Sequence, residues 1–229
     1  MKITTSSASK TSAAESPVWR YLDFAKFIDL LQTSELHFTR LDRLQDPFEH
    51  ALSRARAYKD RRKFGLRVEY VNCWFQSQFE SAAMWSIYAT AGIAIRSGLD
   101  RLTGILPEVS QRLQGFEIGE LAFGSINYLD EDEIAAQLQD PNRRDGLTFA
   151  KRKSFSYEQE IRLLIGIKCR IRNSPPSLRL KVNLPSLIDA VHISPTAPKW
   201  VAEVVEREIR NYGLHINAIH STLYSRKLG

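Results

Sequence analysis

The chain has 229 residues, of which 43% are hydrophobic, so it can bury the core of one large domain or two small ones. Its net charge of +6 and isoelectric point of about 9.4 favour an anionic partner, such as a nucleic acid, a nucleotide or another phosphate-bearing molecule. Cys73 and Cys169 stand in apolar, strand-like stretches, which argues against a disulfide framework, and the histidines have no metal-binding spacing.

The first sixteen residues predict a disordered tail with no assigned role. They are rich in Ser, Thr and Ala and lack the apolar core of a signal peptide. No apolar run in the chain approaches the ~20 residues needed to span a membrane. The sequence therefore predicts a cytoplasmic protein that makes no membrane contact, with a single domain over residues 17–229.

The first half of the chain alternates short strands and helices. Asp23 can cap a helix whose apolar residues, from Phe24 to Leu31, recur at a 3.6-residue period. The predicted elements are a strand at 18–22, this helix, a strand at 36–40, a basic helical stretch to about residue 64, a strand at 68–75, a helix at 81–90 and a strand at 93–95.

The second half ends in a β-α-β pattern: a strand at 190–194, a helix at 197–212 stopped by Gly213, and a strand at 215–219. Before it come an irregular amphipathic stretch at 99–113, a strand at 122–129, an acidic helix at 131–138, a long strand at 161–171 and an alternating strand at 178–184. We expect the last two strands to pair antiparallel across a link that carries Pro175-Pro176. Together these elements predict one α+β domain.

The most informative stretch is Tyr157-Glu158-Gln159-Glu160, which precedes an aliphatic run. Positions i and i+2 of a strand point to the same face, so Glu158 and Glu160 can share one site. Two carboxylates in one place repel, and proteins keep such pairs with a compensating cation or for a chemical task. The flanking bases are Lys151, Arg152, Lys153 and Arg162. The alternative is that both carboxylates lie on a solvated strand face and form ordinary salt bridges.

An ordered set of motifs resembles the bacterial family called domain of unknown function 2971. The motifs are Trp19-Arg20-Tyr21, Asp46-Pro47-Phe48-Glu49, Met84-Trp85-Ser86-Ile87-Tyr88 ahead of Gly92-Ile93-Ala94-Ile95, and Lys151-Arg152 with Tyr157-Glu158-Gln159-Glu160-Ile161-Arg162. The resemblance covers most of the chain after the tail. Gln45 departs from it, because the family tends to have Asn before Asp-Pro-Phe-Glu.

That family is distantly similar to the ADP-ribosyltransferases, whose plan is a cation or His on the first strand, an aromatic middle segment and a late Glu-x-Glu. Arg20, Tyr88 and the pair Glu158 and Glu160 match this plan in order. The Ser-Thr-Ser strand motif of many transferases is not visible. The resemblance implies a mixed or antiparallel split sheet with flanking helices, and NAD as the substrate.

The resemblance also implies two catalytic carboxylates. Cleavage of the nicotinamide glycosidic bond builds positive charge on the ribose, and a carboxylate hydrogen-bonded to a sugar hydroxyl binds more strongly in that state. We expect Glu160 to fill this role and Glu158 to accept the proton of the acceptor nucleophile.

Four further residues are candidates for cofactor binding. Arg20 is expected to hold the pyrophosphate through a forked contact, with Arg152 as a second basic candidate. Tyr21 or Tyr88 is expected to stack on the nicotinamide ring. No metal is expected.

Each candidate also has a plainer interpretation. Arg20 more often pairs with a surface acid, and aromatic residues at helical spacing more often belong to a core, to which we assign Trp85. The Asp46-to-Glu49 motif is either a turn that buries Phe48 or a site whose acids orient Arg20 or Arg40. We interpret His192 and Ser194 as ordinary strand and cap residues.

Two functions therefore follow from the sequence. The first is an ADP-ribosyltransferase-like enzyme that uses NAD to modify a macromolecule, either a nucleic acid or a protein, in bacterial defence or stress. The alternative is a non-catalytic module that binds nucleotide or nucleic acid. The bases of one run either contact a nucleic-acid backbone, or neutralise Glu158 and Glu160 or hold the NAD pyrophosphate. These bases are Arg143, Arg144, Lys151, Arg152 and Lys153.

Overall fold

A computed structural model describes residues 3–5, 16–51, 67–106, 113, 115–140, 144–169 and 173–225. The described strands are β1 (Ile3–Thr5), β2 (Pro17–Leu22), β3 (Glu35–Arg40), β4 (Arg67–Gln76), β5 (Ile93–Gly98), β6 (Ile118–Ser125), β7 (Asn127–Leu129), β8 (Ala150–Arg152), β9 (Glu160–Lys168), β10 (Ser177–Lys181), β11 (Ala190–Ile193) and β12 (Asn217–His220). The described α-helices are α1 (Phe24–Thr33), α2 (Ala82–Tyr88), α3 (Leu99–Gly104), α4 (Glu131–Gln139), α5 (Leu184–Leu187) and α6 (Lys199–Asn211). Three 3-10 helices cover Leu41–Arg43, Arg144–Phe149 and Lys153–Glu158.

The chain divides into two compact units, each built from three stretches of sequence. The first unit comprises Met1–Ser9, His37–Cys73 and Leu106–Leu180, and the second comprises Lys10–Leu36, Trp74–Ile105 and Lys181–Gly229. Helices and mixed parallel and antiparallel strands confirm the α+β class. The prediction of a single domain over residues 17–229 stays a prediction.

The first unit is organised around strand β9. Its neighbours are β6, which is antiparallel, and β4, while β1 lies beyond β6 in parallel. All of residues 160–167 are buried, as expected of a central strand covered on both faces. Glu160 and Arg162 are the only charged residues in that buried run, so this strand begins with a buried ion pair.

Strand β10 does not pair with β9, so the predicted antiparallel partnership of these two strands is wrong. Strand β10 pairs with β3, which in turn pairs antiparallel with β4. The physical reason is that both edges of β9 are already occupied by β6 and β4, and this leaves no hydrogen-bonding edge for a third strand.

The predicted strand at 122–129 is divided in two at Ile126. The Ile126 amide donates to the Glu160 carbonyl at 2.8 Å, after which β7 leaves β6 and pairs in parallel with β8. Helix α4 then begins with a capping box: the Asp130 side chain accepts from the Glu133 amide, and Glu133 accepts from the Asp130 amide. The predicted acidic helix is thus confirmed.

The second unit has the strand order β2-β5-β11-β12, and the end of β4 pairs with β2. Strands β11 and β12 are parallel and α6 connects them, which confirms the predicted β-α-β unit. Gly213, with φ of 70°, follows the helix in the left-handed conformation that favours glycine. Helix α1 begins as predicted, with the Asp23 side chain accepting from the Lys26 amide at 2.8 Å.

An aromatic cluster forms the core beside β2 in the second unit. It contains Trp19, Tyr21, Phe75, Met84 and Trp85, with Ala89 and Ala94. Trp85 therefore belongs to the core, as predicted. No helix in the described part of the chain is long and apolar enough to cross a membrane.

Two predictions concern the ends of the described segments. We expected no ordered element before residue 17, yet Ile3–Thr5 forms β1, whose β-branched residues favour an extended backbone. The predicted basic helical stretch lies outside the described residues from position 52 onward.

Candidate charge-cluster site

Glu158 and Glu160 approach each other through a turn rather than through strand alternation. Glu158 ends a 3-10 helix, Glu160 begins β9, and Gln159 between them is left-handed with φ of 38° and ψ of 49°. The Gln159 amide donates to the Ser156 carbonyl at 3.2 Å, which closes the turn. The two carboxylates share one site as predicted, although Glu158 does not lie in the strand.

Lys151 connects the two carboxylates. Its Nζ donates to Glu158 and, at 3.2 Å, to Glu160 Oε2, and it lies 4.0 Å from Glu49 Oε2. Lys151 lies in β8, and the 3-10 helix that ends at Glu158 follows β8 directly. The predicted compensating cation is therefore supplied by the same local stretch of chain.

Arg162 connects the pair to the Asp46-Pro47-Phe48-Glu49 motif. Its guanidinium donates to both oxygens of Glu160 and to Glu49 Oε1, and its Nη1 donates to the Thr148 carbonyl at 2.9 Å. We call the five residues Glu49, Lys151, Glu158, Glu160 and Arg162 the charge cluster. Three carboxylates outnumber two cations, so the charge cluster carries one net negative charge.

All members of the charge cluster are buried, with exposed fractions from 1% for Arg162 to 7% for Lys151. Burial opposes ionisation of Glu160, but the charge and hydrogen bonds of Arg162, followed by the charge of Lys151, lower its pKa to about 2. Burial also opposes the charge of Lys151, whose pKa is nevertheless raised by Glu160 and Glu49. Glu160 is therefore ionised and Lys151 protonated at neutral pH.

A partly buried thiol lies beside the charge cluster. Burial, followed by the negative charge of Glu160, raises the pKa of Cys73 well above its ordinary value, and Cys73 forms a hydrogen bond with Glu160. The Glu160 amide in turn donates to the Tyr128 hydroxyl at 2.8 Å. Sequence patterns did not predict Cys73 or Tyr128 at this site, because their approach depends on strand pairing and not on any local pattern.

Arg152 lies next to the charge cluster in the same unit. Its Nη2 donates to Asp46 Oδ1 at 2.9 Å, and its guanidinium lies over the rings of Phe48 and Phe155. From the sequence this motif is either a turn that buries Phe48 or a site whose acids orient Arg20 or Arg40. In the structure Asp46 pairs with Arg152 and Glu49 with Arg162, and Arg40 pairs with Asp42.

The remaining candidates belong to the second unit. Arg20 lies over the Trp74 ring, 5.9 Å from its centroid. Tyr21 is 8% exposed, and its ring packs edge-on against Trp85 in the aromatic core. Tyr88 is 41% exposed and so has the more accessible ring of the two tyrosines. The convergence of these residues with Glu160 stays a prediction.

The three described bases of the run before β9 pair with carboxylates. Lys153 donates to Asp130 at 2.9 Å and lies 3.4 Å from Glu133, while Lys151 and Arg152 have the partners given above. Arg143 and the side chain of Arg144 lie outside the described residues. Of the three described bases, Lys151 pairs with Glu158 and Glu160, whereas Arg152 and Lys153 pair with other acids. Whether the run contacts a nucleic acid stays a prediction.

His192, interpreted from the sequence as an ordinary strand residue, has an acidic neighbour in the second unit. Its Nδ1 lies 3.3 Å from Glu80 Oε1, and Trp85 Nε1 donates to Glu80 Oε2 at 2.9 Å. Burial opposes the charge of Glu80, but hydrogen bonds from His192, Ser221 and Trp85 lower its pKa. Within the described residues, no group of three or more His, Cys, Asp or Glu side chains is arranged to hold a metal.

Comparison of the chain with protein-family models, with curated proteins and with solved structures finds no match in any of the three. The resemblance drawn from the sequence motifs therefore stays a prediction.

Proposed function

We propose that this chain is an ADP-ribosyltransferase-like enzyme that cleaves NAD and transfers ADP-ribose to a macromolecular acceptor. One observation carries the proposal: a buried charge cluster with a net negative charge, assembled at the left-handed turn between Glu158 and Glu160. Burying five charges costs several kcal/mol per ion before pairing compensates, and such clusters are common at sites with a chemical task.

The sign of the net charge suits this chemistry. When the bond between ribose C1′ and the nicotinamide nitrogen breaks, its electron pair leaves with nicotinamide, and positive charge develops on the sugar. A preorganised negative group stabilises that charge more than it stabilises the ground state. Glu160 is the candidate for this role because its lowered pKa keeps it ionised.

The second carboxylate has a separate task in the proposal. As the acceptor nucleophile attacks C1′, its proton must leave, and Glu158 is the candidate that receives it. Lys151 contacts both carboxylates and so fixes their separation. Arg162 donates to Glu160 and orients it, and Glu49 accepts from Arg162 and holds the guanidinium in place.

A specific observation also favours the alternative, a non-catalytic module that binds nucleotide or nucleic acid. Both oxygens of Glu160 already accept hydrogen bonds from Arg162 or Lys151, and the residue is 5% exposed. A carboxylate held in this way stabilises the fold whether or not it takes part in a reaction. In that account the charge cluster is a structural ion network and the ligand binds without being changed.

Incubation with NAD labelled in its nicotinamide ring separates the two functions. The enzyme releases free labelled nicotinamide, and release rises when the protein or nucleic-acid acceptor is added as cell extract. The binding module retains label in a saturable complex with intact NAD. Intact, unbound NAD under all these conditions would contradict the proposal.

The role of Glu158 is tested by Glu158→Gln in the same assay. If it accepts the acceptor's proton, transfer of ADP-ribose to the acceptor falls by about 10²–10⁴-fold, while slow hydrolysis of NAD persists. Equal transfer by both proteins would remove Glu158 from the reaction.

A further inference from the structure

The ion pair between Asp46 and Arg152 leaves two buried atoms unsatisfied. Asp46 Oδ1 accepts from Arg152 Nη2 at 2.9 Å and from the Phe48 amide at 3.0 Å. Asp46 Oδ2 and Arg152 Nε are both buried, and neither has a hydrogen-bond partner among the described residues. A buried polar atom without a partner costs ~1–3 kcal/mol, so one acceptor and one donor left together in one ion pair need an explanation.

Aromatic rings surround this ion pair. The Arg152 guanidinium lies 5.5 Å from the Phe48 ring centroid and 5.3 Å from that of Phe155. Lys151 Nζ lies 4.9 Å from the same Phe155 centroid, so this ring adjoins the charge cluster. Asp46 is 7% exposed, whereas both rings are only partly buried. The surroundings therefore suit a flat, aromatic ligand.

The unsatisfied atoms define which group such a ligand must carry. Asp46 Oδ2 needs a donor, and Arg152 Nε needs an acceptor. A primary carboxamide offers an N–H donor beside a carbonyl acceptor, and the amino edge of adenine offers the same pair. A carboxylate does not fit, because it has no donor and its charge is repelled by Asp46.

We propose that Asp46, Phe48, Arg152 and Phe155 form a subsite for the nicotinamide ring of NAD, an inference that rests on the function proposed above. The carboxamide N–H donates to Asp46 Oδ2, the carboxamide oxygen accepts from Arg152 Nε, and one phenyl ring turns aside so that the pyridine ring stacks in its place. We choose nicotinamide over adenine because Phe155 adjoins Lys151, which contacts both candidate catalytic carboxylates.

Asp46→Asn tests the subsite with little change of shape. The Asn oxygen can still accept from Arg152 and from the Phe48 amide, but an amide nitrogen replaces Oδ2 and turns an acceptor into a donor. The matched control is Asp130→Asn, because the Asp130 side chain also accepts from a backbone amide and pairs with a base but lies at the exposed surface. Binding of nicotinamide, nicotinate and adenosine to each protein is measured by calorimetry.

The expected result is an exchange of preference. Nicotinamide should bind Asp46→Asn about tenfold more weakly than wild type, and nicotinate should bind it more tightly than wild type, since the new donor faces a carboxylate. The Asp130→Asn control should match wild type for both ligands. A merely structural role for Asp46 would not exchange the two preferences.

Arg152→Lys provides a second test if Asp46→Asn does not fold. Lysine keeps the positive charge but lacks Nε, so nicotinamide should bind about tenfold more weakly, with no gain for nicotinate. The Arg152 side chain is 39% exposed, so this change leaves the core intact.

Three results overturn the subsite: no binding of nicotinamide to wild type, no change of preference in either variant, or a loss confined to adenosine. The assay uses nicotinamide itself and needs no turnover. An exchanged preference in a protein that never cleaves NAD would uphold the subsite and reject the enzyme. Cleavage of NAD by a protein whose variants show no exchanged preference would uphold the enzyme and reject the subsite.

Discussion

Replacing Arg162 by Met should be one of the most destabilising single changes in this chain. Arg162 is 1% exposed and donates to Glu49, to Glu160 and to the Thr148 carbonyl. Methionine fills a similar volume but leaves three buried carboxylates with Lys151 as their single cation in the charge cluster.

The magnitude follows from the burial. Removing one partner of a buried ion pair costs roughly 3–5 kcal/mol, because the remaining charge keeps its desolvation cost without compensation. A domain is typically stable by only about 5–15 kcal/mol, so this loss removes a large part of the total. Lys153→Met is the matched control: Lys153 also pairs with two carboxylates but is 58% exposed, where a pair contributes about 0–1 kcal/mol.

Urea unfolding followed by circular dichroism measures both free energies. Combining Arg162→Met with Glu160→Gln removes one charge of each sign, and it should recover about 1 kcal/mol or more relative to Arg162→Met alone. Two results would refute this prediction. Either Arg162→Met lowers the free energy of unfolding by no more than Lys153→Met does, or the double variant loses the sum of the free energies lost by Arg162→Met and Glu160→Gln separately.

Three further predictions follow from the same residues. Stability should fall as the pH drops from about 5 toward 2, because the pKa of Glu160 is lowered to about 2 in the folded state and its contribution is lost as the pH falls through that value. Urea unfolding at several pH values should show a flatter pH dependence for Glu160→Gln, and parallel curves for the two proteins would contradict the prediction. Gln159→Gly and Ser34→Gly should each raise the unfolding free energy by roughly 0.5–1 kcal/mol, since both positions have positive φ, and destabilisation of either variant would count against the strain. The Cys73 thiol should react slowly with a disulfide reagent at neutral pH, because burial and then the charge of Glu160 raise its pKa, and rapid labelling would show otherwise.

Local patterns predicted the elements whose signals lie within a few residues. Asp23 caps α1 and Gly213 ends α6, and the structure confirms both. The pairing of β10 could not be predicted in this way, because it depends on which edges other strands have already taken. Chain proximity across Pro175-Pro176 suggested a hairpin, and the occupied edges of β9 prevented it.

The same distinction between local and long-range signals applies to the candidate site. Lys151, Glu158 and Glu160 lie within ten residues, and their association was predictable from charge alone. The left-handed Gln159 was not, because glutamine gives no signal for positive φ. The contact between Glu49 and Arg162 joins residues 113 positions apart, and only the motif resemblance drew attention to Glu49.

The most direct test of the central claim is the rate of nicotinamide release from NAD by Glu160→Gln. The substitution leaves two carboxylates and two cations in the charge cluster, so the fold should persist. Losing the negative charge should cost ~3 kcal/mol or more of barrier, which is a rate at least about 10²-fold lower. Glu69→Gln is the control, since Glu69 is also buried, with 8% exposed, and pairs with Arg67 outside the cluster. The account predicts loss of release in Glu160→Gln alone, and release at the wild-type rate by that variant would contradict it.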